Sequence, residues 1–230
     1  MAPDARFCEV CGTPAPSSSI PTPPNNQMPM RTRYAAPSAL AYSGSDPLLE
    51  FDVEYPERLS RWMIFVKWLL AIPHYIFLWF FGIGVSIVWF IAFFAILITG
   101  KFPRGMWDFM LMYMRWSANV AVYAFMLQRD EYPPFGDASY PVRLDLEYPT
   151  SLSRWMIFIK WILIIPHAFI LGVLGIAQYI CVFIAFFAIL ITGNYPRSLF
   201  DFVTGALRWT YRVSAYIYFM TDRYPPFSLE

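Results

Sequence analysis

Charge is what this sequence has little of. Of 230 residues only 14% are Asp, Glu, Lys or Arg, divided into 17 basic and 16 acidic side chains for a net charge of +1. Soluble domains carry about 25% charged residues, so the depletion points to lipid as the main solvent. A near-neutral chain also has no global field to hold nucleic acid, and nucleic acid is not an expected partner. Cysteine is scarce as well: Cys8, Cys11 and Cys181 are an odd set without paired spacing, which excludes a disulfide framework. Residues 1–47 contain no apolar core, so no secretory signal is expected there. No catalytic constellation is strong enough to name a reaction, which favours a non-enzymatic protein.

What is abundant is apolar and aromatic: 58% of the residues are hydrophobic and 20% are Phe, Trp or Tyr. They are also repeated. The decapeptide "IAFFAILITG" occurs at 91–100 and again at 184–193, and 52–116 aligned with 145–209 gives 38 identities in 65 positions. "EYPERLSRWMIFVKWLLAIPH" (54–74) matches "EYPTSLSRWMIFIKWILIIPH" (147–167), and "GKFPRGMWDF" matches "GNYPRSLFDF". After a one-residue deletion, "YPPF" at 132–135 matches 224–227. This is a tandem duplication, and each copy should adopt the same fold. The chain reads as four regions: a knuckle at 1–16, a linker at 17–47 by its Pro/Ser composition, one repeat at 48–136 and another at 137–230.

Each copy has an uncharged run, Trp68–Gly100 and Trp161–Asn194. About 20 residues cross a bilayer, so these runs are long for one span and short for two. Gly82 and Gly84, and Gly172 and Gly175, sit near the middle, where glycine suits a tight turn. The expectation is therefore a helical hairpin, Trp62–Phe81 with Val85–Thr99, and its twin, Trp155–Leu171 with Ile176–Thr192. A competing reading is one long tilted helix starting at the proline of "IPH". Lys and Arg flank the runs and avoid the glycines, which places the flanks and both termini on the cytoplasmic side of a multi-pass protein of the inner membrane. Lys67 and Lys160 lie one turn inside and should snorkel outward.

A third segment in each copy, Met106–Leu127 and Leu199–Met220, is apolar but carries Asp108, Arg115 and Asn119, or Asp201, Arg208 and Arg212. The i, i+7, i+11 spacing puts each trio on one helical stripe. An amphipathic helix in the membrane interface, apolar face down, is expected over a third span. Asp108 and Asp201 should latch to Arg104 and Arg197 at i−4. Alternating "LEFDVEYP" (49–56) and "VRLDLEYP" (142–149) read as short cytoplasmic extended segments. The fold class is thus an all-α membrane protein, a tandem repeat of helical hairpin plus amphipathic helix.

Two sets of residues are candidate ligands. "RFCEVCGTPAP" (6–16) resembles one knuckle of a zinc ribbon, with Cys8 and Cys11 supplying two of the four ligands that tetrahedral zinc wants. His74 and His167 are equivalent, each following a proline. If both approached one symmetry axis they could ligate a haem or a metal; otherwise each would bond a carbonyl freed by its proline. Identity retained at the decapeptides places 91–100 and 184–193 near the pseudo-two-fold axis, with Ala95 close to Ala188.

The motif order YPxxLSRW, IPH, AILITGxxPR, DF, RW and YPPF, spanning about 50–228, resembles the bacterial membrane family called domain of unknown function 4389. The resemblance implies a multi-pass cytoplasmic-membrane protein in two-copy form and brings no established activity. The leading expectation is an accessory, scaffold or interaction subunit with lipid and other proteins as partners. The alternative is a redox or small-transport component using His74 and His167.

Overall fold

The structure, a computed structural model, describes residues 49–230. Cys8, Cys11 and the 17–47 linker lie outside the described residues. The elements run β1 (Leu49–Val53), α1 (Met63–Leu70), α2 (Ile72–Thr99), α3 (Arg104–Val120), a π-helical turn (Ala121–Phe125), β2 (Val142–Leu146), α4 (Met156–Thr192) and α5 (Arg197–Ile217).

The hairpin expectation is overturned. No turn forms at the mid-run glycines: α2 passes through Gly82 and Gly84, and α4 is one 37-residue helix through Gly172 and Gly175. A glycine inside a helix costs only about 1 kcal/mol, less than breaking the backbone bonds around it. Gly84 instead admits α3, because a Cβ there would stand 3.3 Å from the Phe109 ring. Starts and stops are set elsewhere. Pro73 sits in the first turn of α2, where its missing N–H costs nothing; α1 ends just before it, and the Ala71 N–H still reaches the Lys67 carbonyl at 2.9 Å. In the second copy Pro166 is carried inside α4. Gly100 and Gly193 hold φ of 70° and 76° and stop the long helices, the left-handed position that favours glycine. Pro103 and Pro196 then start α3 and α5. "ITGxxPR" is thus a helix stop followed by a helix start.

Each long segment buries a single stripe: Ile64, Lys67, His74, Val85, Ala92 and Ile96, repeated as Ile157, Lys160, His167, Gln178, Ala185 and Ile189. Steps of three, four and their sums keep a stripe on one helix face. Upon it α3 packs against α2, and α5 against α4. A third layer lies beyond. β1 and β2, one from each copy, pair antiparallel with Leu49 opposite Leu146 and Phe51 opposite Leu144, and rest on α5 and α3 respectively. The expected alternation holds, with Leu49, Phe51 and Val53 buried and Glu50 and Asp52 exposed. The all-α class therefore gains a two-stranded ribbon.

This layering also corrects the reading of the third segment. The apolar faces of α3 and α5 are not free to meet lipid; Trp107, Met110, Met114, Phe200, Val203 and Trp209 are buried inside the protein. The one-residue length difference between the copies is taken up by the π turn, which α5 lacks, since a π turn holds one extra residue without ending the helix. Both helices then end at a left-handed non-glycine residue, Leu127 (φ 58°) or Phe219 (φ 62°).

The copies interlock. The Leu59 N–H donates to the Gly193 carbonyl and the Leu152 N–H to the Gly100 carbonyl, both at 2.8 Å. Tyr55 and Tyr148 donate to the carbonyls of Tyr195 and Phe102. Across the long helices Phe65 meets Phe186 (5.6 Å between ring centres) and Phe93 meets Phe158 (5.7 Å). These pairings make the long segments antiparallel. Phe158 and Phe186 are 28 positions apart on α4, roughly 42 Å of helix. The decapeptides therefore lie at opposite ends, each against the lead-in of the other copy, and the expected Ala95–Ala188 contact at the axis is corrected.

Candidate functional site

The charges that both copies carry within their long helices are not at the surface. Lys67 and Lys160 are buried and do not snorkel. The Lys67 Nζ lies 2.8 Å from the Asp130 carboxylate and donates to the Arg129 carbonyl at 2.7 Å. Lys160 repeats this with Asp222 at 2.8 Å and the Thr221 carbonyl at 2.7 Å. Each carboxylate also accepts a backbone N–H from just ahead of its long helix, Ser60 or Ser153. A buried ammonium requires such partners, because an unpaired charge in a low-dielectric interior is costly.

Seven residues further along the same stripe are the histidines. The indole N–H of Trp116 donates to His74 Nδ1 at 3.0 Å, and that of Trp209 to His167 Nδ1 at 3.1 Å. His74 stacks on Phe135 (4.2 Å) and His167 on Phe227 (4.1 Å). Tyr132 and Tyr224 also pack on each imidazole, tilted, at 4.9 Å. Each ring is thus enclosed by its own copy and held by a tryptophan, not by a carbonyl freed at the proline. With Nδ1 accepting, a neutral imidazole carries its proton on Nε2, and Nε2 is buried without a hydrogen-bond partner among the described residues in both copies. Tyr123 and Tyr216 lie against Lys67 and Lys160, with Nζ 5.6 and 4.9 Å from the ring centres. Burial pushes both phenols above their ordinary pKa, with Tyr132 and Asp130, or Asp222 and Tyr224, adding to the effect.

The remaining expected residues serve the layer interfaces. Arg104 pairs with Asp108 at 3.2 Å and Arg197 with Asp201 at 3.1 Å, all exposed. Arg115 holds β2 through the Leu144 carbonyl (2.9 Å), Asp137 (2.8 Å) and Asp145 (3.0 Å). Arg208 holds β1 through the Phe51 carbonyl (2.8 Å) and reaches the Leu229 carbonyl in the C-terminal tail (2.9 Å). No group of three or more His, Cys, Asp or Glu gathers among the described residues. The sequence reading missed Asp130, Asp222, Trp116, Trp209, Phe135 and Phe227 as partners. The signal was present: an aspartate stands two places before YPPF in both copies, and RW and YPPF were themselves repeated.

Together these features define a duplicated three-layer unit with one Lys–Asp pair and one His–Trp pair per copy. The model of a domain of unknown function, DUF4389, matches residues 61–136 and again 154–228, and the chain belongs to that family in tandem two-copy form. No curated protein and no solved structure matches it.

Proposed function

We propose that the protein is a non-enzymatic accessory or scaffold subunit, held in the cytoplasmic membrane by its two long apolar segments and offering its polar ribbon side to cytoplasmic partners. The observation that carries this reading is the outward face of Met63–Thr99 and Met156–Thr192. Each segment is 37 residues long and apolar enough to cross a membrane. Their outer surfaces expose Phe, Trp, Ile and Leu continuously, from Trp62 (80% exposed) to Ile98 (70%) and from Trp155 (77%) to Ile191 (71%). Contiguous apolar surface on this scale marks a membrane or protein contact. The paired Lys–Asp and His–Trp contacts serve as structural locks between the apolar helices and the polar layers. In this reading the histidines are structural contacts, because a Trp indole N–H engages each Nδ1 and each ring packs against aromatic residues of its own copy.

The test is fractionation of the full chain expressed in bacteria. Retention in the membrane pellet through high salt and release only by detergent are expected. Recovery as a soluble protein without detergent overturns the reading. Cross-linking and mass spectrometry of the detergent extract then identify the partner.

A further inference from the structure

We infer that the long helices lie flat in the cytoplasmic leaflet and do not cross the bilayer; this rests on the membrane reading above. The first argument is the position of the polar layers. Phe81, midway along Met63–Thr99, touches Trp116 (5.4 Å) and Phe109 (5.9 Å) of α3. Arg115, one residue before Trp116, binds Asp137, Asp145 and the β2 backbone. The ribbon therefore stands over the middle of the long helix, not beyond either end. In the second copy Arg208, next to the Trp209 that holds His167, binds β1 in the same way. A crossing helix would carry this layer into the hydrocarbon midplane, with Asp52 73% exposed and Asp145 61% exposed. Ionised groups at that depth are strongly disfavoured.

Length gives the second argument. Thirty-seven helical residues span roughly 55 Å, against a hydrocarbon core about 30 Å thick. Fitting one inside the other takes a tilt of roughly 57°, beyond the range of about 0–40° seen for spanning helices.

The third argument is the charge at the corners. Arg58, Arg61 and Trp62 precede one long segment, and Lys101 and Arg104 follow it. The interlock brings Arg61 beside Gly193 and Arg154 beside Gly100, so each end of the platform carries exposed cations from both copies and one exposed lead-in tryptophan, Trp62 or Trp155. Basic and aromatic residues at both ends suit one anionic headgroup plane; a single crossing would put half of them on the far side. The occupant of the apolar face is therefore one leaflet containing anionic phospholipid.

The experiment uses the full chain with Cys8, Cys11 and Cys181 changed to Ala and a single cysteine at Arg61→Cys or Lys101→Cys, both exposed positions. An impermeant maleimide is applied to spheroplasts and to inverted vesicles. Both cysteines should react in inverted vesicles and neither in spheroplasts. Reaction from opposite sides overturns the flat orientation while leaving membrane residence intact; absence of the protein from washed membranes fails the membrane reading itself. In a second measurement, probes at Leu69→Cys, Trp79→Cys and Ile98→Cys should be quenched to the same depth by spin-labelled lipids. A depth gradient through the midplane along these three sites overturns the inference, as does a detergent-free dimer that buries the face against a second copy.

Discussion

The two copies share their locks and differ in their lids. Lys67–Asp130 and Lys160–Asp222 agree to the last tenth of an ångström, and the His–Trp bonds differ by 0.1 Å (3.0 against 3.1 Å). What covers the amphipathic helices differs. Arg115 is capped by two acids, Asp137 and Asp145, whereas Arg208 binds the Leu229 carbonyl of the C-terminal tail and lies 3.9 Å from Asp52. Their inner surfaces have diverged too. Val85, Ser86 and Trp89 line a cavity of about 460 Å³ with Tyr113 and Tyr218; the equivalent positions are Gln178, Tyr179, Val182 and Ala206. Duplication thus preserved the contacts that bind apolar helix to polar layer, and relaxed those that depend on neighbours met by one copy alone.

If the locks are equivalent, Lys67→Met and Lys160→Met should destabilise alike. Removing one partner of a buried ion pair costs about 3–5 kcal/mol, and the low end applies because Asp130 and Asp222 are each 24% exposed. Thermal unfolding in a fixed detergent should show a large fall for either variant. A fall for one copy only would mean that the locks do not carry equal load.

Trp116→Phe and Trp209→Phe come next. Each leaves a buried imidazole nitrogen without its donor, a cost of about 1–3 kcal/mol, while keeping an aromatic ring in place. The two losses should match within about 0.5 kcal/mol and add in the double variant, because each His–Trp pair is enclosed by its own copy. Strong non-additivity in unfolding measurements would reveal coupling between the copies.

Gly205→Ala sharpens the difference between the lids. A Cβ at Gly205 would stand 2.8 Å from the Leu229 carbonyl oxygen, too close for the tail to stay where it is. The equivalent residue in the first copy is Met112, a full side chain that is half-buried. Gly205→Ala should release the C-terminal residues to limited proteolysis, at a stability cost of about 1–3 kcal/mol. Resistance equal to that of the unmodified protein would place the tail elsewhere.

Much of this architecture could be read from the sequence because repetition doubled every signal. The duplication, the strand-forming alternation at 49–53 and 142–146 and the i,i+4 latches all follow from spacing. The hairpin did not form because glycine in an apolar run has two physical uses, a turn or a close approach, and only the position of Phe109 distinguishes them at Gly84. The buried lysines were misread for a related reason. Lys67 and Asp130 are 63 positions apart, and an aspartate beside YPPF looks like an ordinary loop charge until the fold brings it back. His74 was referred to its neighbouring proline, although Trp116, 42 positions away, supplies the donor.

The smallest effect is expected where the copies differ by one residue. The π turn Ala121–Phe125 has no counterpart in α5, yet both helices reach a left-handed residue and then the aspartate of the lock. The extra residue therefore lies between Tyr123, which corresponds to Tyr216 against its lysine, and Leu127, which corresponds to Phe219. Phe125 is the natural one to remove, being 53% exposed, so its loss takes little from the core. Its deletion should turn the π turn into α-helix and leave the Lys67–Asp130 pair in place, because the second copy makes that pair with the shorter connection. Stability should change by less than about 1 kcal/mol, since exposed positions away from the locks have small effects. A loss as large as that of Lys67→Met would show that the first copy's lock depends on its π turn, and that the two copies reach one geometry by routes that are not interchangeable.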